Sequence, residues 1–134
     1  MIDVINEIFD TLAKGVREKH SDVTVTGEYT RSPSKFPAVT FDETENVTVD
    51  SLVDSSDVEK FAGVRYRLQV FSNKQSGRKA EARAIFSTAD ELLLRMGLRR
   101  KTYTTTPDYY NSTIYSIEAT YEGIISAEGI MYAR

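Results

Sequence analysis

Catalysis needs side chains that can hold a proton, a metal or a covalent intermediate, and this chain carries few in workable patterns. His20 is the single histidine, and there is no cysteine. A thiolate nucleophile, a disulfide and a cysteine zinc site are therefore outside its repertoire. His20 lies in Glu18-Lys19-His20-Ser21-Asp22. That polar stretch ends a predicted helix, where the dipole favours an imidazole and solvent is expected around it. One histidine leaves a histidine metal site without its partners, and no triad pattern is recognisable around it. Gly77 stands beside Lys79 without the further glycines of a phosphate-binding loop. Carboxylates crowd one place: residues 42–59 hold Asp42, Glu43, Glu45, Asp50, Asp54, Asp57 and Glu59, and no base. Around Asp54, Asp57 and Glu59 the alternating oxygen ligands and turn glycine of a calcium loop are missing, so the stretch reads as negative surface. No catalytic residue, metal or cofactor is assigned, and an enzyme is the class least supported.

Bases gather elsewhere. Lys74, Arg78, Lys79 and Arg83 occupy a loop and the first turns of a second predicted helix, and Arg99, Arg100 and Lys101 follow its end. Residues 72–101 hold eight bases against three acids, while the −7 of residues 42–59 leaves +4 for the rest of a chain whose net charge is −3. Bases at a helix start oppose the dipole, so a compensating partner is expected. In a head-to-tail oligomer, the acidic arm of one subunit would lie against the basic part of the next. The interface candidates are thus the seven acids and the four bases from Lys74 to Arg83. Two other readings compete. One is a solvated acidic loop beside an unrelated basic surface. The other is a small nucleic-acid-binding module using Tyr66, Phe71 and the 74–83 bases, against which the negative total argues.

The elements that must position these groups follow from periodicity. In residues 63–72, Val64, Tyr66, Leu68 and Val70 alternate with Arg65, Arg67 and Gln69, a strand with one apolar face. A polar loop (73–77) leads to a helix (78–96) whose Ile85, Ala89, Leu92, Leu93 and Met96 form one stripe. Gly97 follows where a left-handed cap is usual. Strand face and helix stripe are expected to cover each other as the core.

Residues 2–19 read as an amphipathic helix with Ile5, Ile8, Phe9, Leu12 and Val16 inward. Gly15 weakens its last turn, so an end near there is expected. Residues 23–29 and 36–41 read as strands around a turn at Arg31-Ser32-Pro33-Ser34-Lys35. Residues 42–62 read as a long hairpin or extended arm, loosely attached. Residues 98–106 and 113–125 read as a closing hairpin, the second strand placing Tyr115, Ile117, Ala119 and Tyr121 on one face. The tail, 126–134, keeps Ile130, Met131 and Tyr132, which must dock on its own sheet or a neighbour. The whole is one domain, 1–134, of α+β class: a mostly antiparallel sheet with two helices on one face. At 40% hydrophobic and 28% charged it has the composition of a soluble globular protein. It has no apolar run of bilayer length and no leader-like start, so a cytoplasm is the expected place of assembly.

The ordered set of stretches resembles the tail-terminator (tail-completion) proteins of long-tailed phages and prophages. It comprises the amino-terminal helix, Lys35-Phe36-Pro37-Ala38-Val39-Thr40-Phe41 before the acids, and Tyr66-Arg67-Leu68-Gln69-Val70-Phe71-Ser72-Asn73-Lys74. Ser76-Gly77-Arg78-Lys79, Met96-Gly97-Leu98-Arg99-Arg100 and Asn111-Ser112-Thr113-Ile114-Tyr115 follow, and the last strand ends in Tyr121-Glu122-Gly123. The resemblance spans about residues 1–126 and implies a structural virion protein with no catalytic residues. Such proteins form a ring, typically a hexamer, on the head-proximal end of the tail tube. They stop tube polymerisation and dock the head-tail connector or stopper protein. The implied partners are other copies of the chain, the tail tube protein and that connector, with DNA only in transit and no membrane. A head-tail adaptor or a tube subunit remains the alternative within the same class.

Overall fold

Side-chain alternation along one central strand sorts the molecule into an inner and an outer side. The computed structural model describes residues 2–31, 33–48, 61–107, 113–126 and 131–132. Their order is α1 (Ile5–Lys19), β1 (Thr24–Thr26), β2 (Ala38–Thr48), β3 (Phe61–Ser72), α2 (Arg78–Arg95), β4 (Arg99–Pro107), β5 (Tyr115–Ser126) and β6 (Met131–Tyr132). The sheet runs β1-β2-β3-β5-β4, with β6 also on β5. Only the β1–β2 pair is parallel; every other pair is antiparallel, the expected α+β class.

On β3, Val64, Tyr66, Leu68 and Val70 point inward and are buried. Register sets Val39 and Phe41 of β2 and Ile117, Ala119 and Tyr121 of β5 beside them on the same face. Ile8, Leu12 and Val16 of α1 and Ile85, Ala89 and Leu93 of α2 complete that cluster, with Leu92 and Met96 partly buried against it. The α2 stripe therefore packs as its spacing predicts. Its end is a Schellman motif: Gly97 takes φ +96°, Gly97 N–H donates to Leu94 O, and Leu98 N–H donates to Leu93 O. Leu98 and Leu93 are both buried, the apolar contact that usually accompanies the motif.

The structure corrects four expectations. First, of the two readings for this region, residues 42–48 take the hairpin and not the loosely attached arm; they continue β2 and pair antiparallel with β3 as far as Thr48 opposite Ala62. They lack apolar alternation because Arg65 and Arg67 across the ladder supply the countercharges to Glu45 and Asp42. The remainder of the expected arm, including Asp50, Asp54, Asp57 and Glu59, lies outside the described residues. Second, the first strand shrinks to three residues, because only Thr24, Val25 and Thr26 reach a partner in β2.

Third, His20 is a partly buried residue rather than a solvated one. It caps α1, and its Nε2 lies 3.0 Å from Thr88 Oγ1 on α2. Fourth, Gly15 does not end α1, which runs on to Lys19. It is where the helices touch: a Cβ at Gly15 would stand 2.5 Å from Leu92 Cδ1. The tail, by contrast, meets one of its two expected fates, since Met131 and Tyr132 pair with Ile125 and Ile124 of the same sheet.

Gly15→Val is expected to lower stability by about 1–3 kcal/mol, the usual cost of overpacking. The loss is expected to be smaller in a Leu92→Ala background, where the space is open. Urea unfolding of the four proteins in that cycle measures the coupling.

Candidate functional site

The basic cluster sits where α2 leaves the sheet. Gly77 holds φ +83° at the helix N-cap, a conformation glycine adopts without a Cβ clash. Arg78 reaches back, its Nη1 donating at 3.4 Å to the carbonyls of Lys74 and Gln75. Arg78 thus tightens the 73–77 loop, while Lys74, Lys79 and Arg83 are exposed. Glu81 supplies an acid in the first helical turn and accepts a hydrogen bond from Ser72 Oγ at 2.6 Å. The unfavourable bases are in part answered from within the chain.

One helical turn on, α2 and β4 form a groove. Arg83, Phe86, Ser87 and Asp90 line it from the helix, and Arg100 and Tyr103 from the strand. Tyr103 packs edge-on against Phe86 with ring centroids 5.0 Å apart, yet it stays 44% exposed. Asp90 ties three elements together: Oδ2 accepts from Arg100 Nη1 at 2.7 Å and Oδ1 from the Tyr121 hydroxyl at 2.6 Å. Burial first, then the bond to Asp90, pushes the Tyr121 phenol above its ordinary pKa. It is a permanent donor at any physiological pH. The bond to Asp90 also raises the Arg100 pKa. Among these residues only Arg83 was marked as an interface candidate by sequence. Phe86, Asp90 and Tyr103 gave no distinguishing signal beyond Phe86 and Asp90 sharing a helix face at i, i+4.

The outer face of the sheet is a ladder of opposite charges. Arg65 of β3 donates from Nε to Glu122 Oε1 at 2.9 Å and pairs with Glu45 Oε2 at 3.4 Å. Lys101 Nζ adds a contact to Glu122 Oε2 at 3.7 Å. Arg67 grips Asp42 through both Nε (3.1 Å) and Nη2 (2.5 Å), with the Tyr29 ring 4.0 Å from its guanidinium carbon. Gln69 holds the β1–β2 loop, accepting from Thr30 N–H and Thr40 Oγ1 and donating to Thr30 O. Phe71, Ala38 and Ile114 form a small buried group with Phe36 under that loop. Phe71 and Tyr66 are therefore both interior and offer no ring on which a base could stack.

The acidic candidates divide accordingly. Asp42 and Glu45 are committed to Arg67 and Arg65 in their own chain. Glu43 faces inward, opposite Tyr66. Its Oε2, the Tyr66 hydroxyl and Asn46 Oδ1 are buried, and none has a hydrogen-bond partner among the described residues. Burial first, then the nearby Asp3, raises the Glu43 pKa, opposed by a hydrogen bond from Asn46. Asn46 Nδ2 also donates to Ile2 O at 2.7 Å, tying β2 to the chain just before α1.

Among the described residues, no group of three or more His, Cys, Asp or Glu side chains is placed to hold a metal. No helix there is long and apolar enough to cross a membrane. No family model and no curated protein sequence matches this chain.

Glu43 binds its proton more tightly folded than unfolded, so its ionisation costs stability as pH rises through the folded pKa. Glu43→Gln is neutral throughout. It is expected to melt above wild type at neutral pH, with the gap closing towards about pH 3, below the ordinary carboxylate range. Melting curves of the two proteins across that interval provide the check.

Proposed function

We propose that this chain is a structural virion protein that closes the head-proximal end of a phage-type tail tube as a homo-oligomeric ring. The observation that carries this reading is the ordered set of stretches with the tail-terminator resemblance. Those stretches fall on consecutive parts of one scaffold: the 35–41 stretch runs into β2, the 66–74 stretch is most of β3 and its loop, and 76–79 opens α2. Residues 96–100 then lead from the Schellman turn into β4. The reading implies a hexamer as the ring, with the tail tube protein on one side and the head-tail connector or stopper on the other. DNA passes through the channel, and assembly precedes incorporation into the virion in the host cytoplasm. No catalytic group, cofactor or membrane takes part.

A ring needs two different patches that close on each other around an axis. The exposed bases Lys74, Lys79 and Arg83 supply one. With Asp42 and Glu45 already paired, the complementary acids are Asp50, Asp54, Asp57 and Glu59. A head-tail adaptor or a tube subunit would use the same kind of surface. A nucleic-acid module is disfavoured by its buried aromatics.

Light scattering of the purified protein, alone and with tail tubes, is expected to show a ring mass in at least one condition, and electron microscopy closed rings rather than long tubes. Replacing Asp50, Asp54, Asp57 and Glu59 with lysine is expected to abolish the ring while leaving the far-ultraviolet circular dichroism unchanged. A monomer even beside tubes, or open tubes of this protein alone, would overturn the reading.

A further inference from the structure

β4 is the last strand of the sheet on its side, and its outer backbone edge has no partner strand among the described residues. An edge of nine residues presents a row of amide and carbonyl groups that a further strand can satisfy. One bulge, between Arg100 and Thr102, interrupts it, leaving residues 102–107 regular. Natural edges of this length are covered, charged or paired. Among the described residues nothing covers it over a defined place, where α2 stands back from β4 and leaves the groove of Arg83, Phe86, Ser87, Asp90, Arg100 and Tyr103. A helix beside an open strand edge is the arrangement in which an added strand gains main-chain hydrogen bonds from the edge and seats alternate side chains in the groove.

The groove also says what would fit. Its floor is aromatic, Phe86 under a half-exposed Tyr103. Its rim carries a net positive charge from the exposed Arg83, since Arg100 and Asp90 neutralise each other. The matching segment is extended and acidic, with aliphatic residues between its acids. The chain contains such a segment: residues 50–59 carry Asp50, Asp54, Asp57 and Glu59, with Leu52, Val53 and Val58 among them.

Reaching its own groove would stretch this segment to nearly its full span, a constraint that a second copy does not meet. The segment leaves the sheet at Thr48 and returns at Phe61, so its two ends are neighbours. Twelve residues going out and back, at ~3.3–3.6 Å each, reach about 20 Å. The level of Tyr103, opposite Ala119, lies six residues along β5 from Ile125, which faces Ala62 at the segment's root. The groove lies two strands over, on β4 beyond β5, and its nearer residue Arg100 is level with Tyr121, four residues from Ile125. At about 10 Å across the strands and roughly 13–20 Å along them, root and groove are about 16–22 Å apart, close to the limit of that reach.

We infer that the α2–β4 groove receives the acidic 50–59 segment of a second copy of this chain as an added strand. The inference rests on the self-association proposed above and names its site. It makes β4 and the acidic segment the two unlike halves of one heterologous contact.

Because the chain has no cysteine, single cysteines report contact without background. Ser87→Cys protein is mixed with Val53→Cys protein, and separately with Ser55→Cys protein, under mild oxidation with tail tubes present. Disulfide-linked heterodimers are expected for at least one pair, about tenfold more abundant than with Thr11→Cys on the exposed side of α1 as the groove-free control. Adding Arg83→Glu or raising the salt is expected to suppress them. Linking no greater than the control, or unchanged by both treatments, overturns the inference. Rings that persist while the groove stays unlinked overturn the groove and spare the ring. Groove linking in protein that never closes into rings does the reverse.

Discussion

β3 is paired with β5 from Phe61 to Ser72 and with β2 from Ala62 to Phe71. Its side-chain alternation is therefore imposed on three strands at once, because partners in register share a face. One face becomes Val64, Tyr66, Leu68 and Val70 with their neighbours, and it needs both helices to cover it. The other becomes Arg65, Arg67 and Gln69, and it needs acids and amide partners on the strands beside it. A one-residue slip would exchange the two sets and leave arginines in the core. The buried face and the charge ladder thus hold the same register from opposite sides.

The strands flanking that unit are bent at the same level. β2 has a register shift between Glu43 and Glu45, and β4 one between Arg100 and Thr102. Between them sit Tyr66 and Tyr121, paired across β3 and β5 and both fully buried. Each bulge redirects side chains. On β2 it sends Glu45 outward to Arg65 and keeps Glu43 and Asn46 under the start of α1. On β4 it turns Arg100 inward to Asp90 while Arg99 and Lys101 stay with the outer row beside Glu122. The two tyrosines meet different surroundings in consequence. Tyr121 finds a carboxylate acceptor in Asp90, and Tyr66 faces Glu43 without a bond.

This arrangement separates surfaces that are rigid from surfaces that remain available. On the outer face Asp42, Glu45, Arg65, Arg67 and Glu122 are paired within the chain, so they shape a polar face rather than a docking surface. Lys74, Lys79 and Arg83 at the opening of α2 are exposed, and the outer backbone edge of β4 has no partner strand among the described residues. For a protein whose proposed work is to hold neighbours rather than to transform a substrate, a stiff internally paired sheet with an open edge at β4 is a fitting division.

Much of this was legible in the residues themselves. The alternation in 63–72 and 113–125, the stripe on 78–96 and Gly97 after it are local signals, because each element's burial is decided by its own period. The absence of a thiolate site likewise follows from the lack of cysteine. The acidic half of β2 was not legible. Asp42, Glu43, Glu45 and Asn46 carry no apolar period, and they form a strand only because β3 presents arginines and backbone groups opposite them. Gly15 could not be read as a helix contact, since the reason for it, Leu92, is far away in sequence. The α2–β4 groove was hidden for the same reason. Its aromatic floor joins Phe86 to Tyr103 and its rim joins Asp90 to Arg100 across a turn, and only tertiary packing brings those pairs within bonding distance.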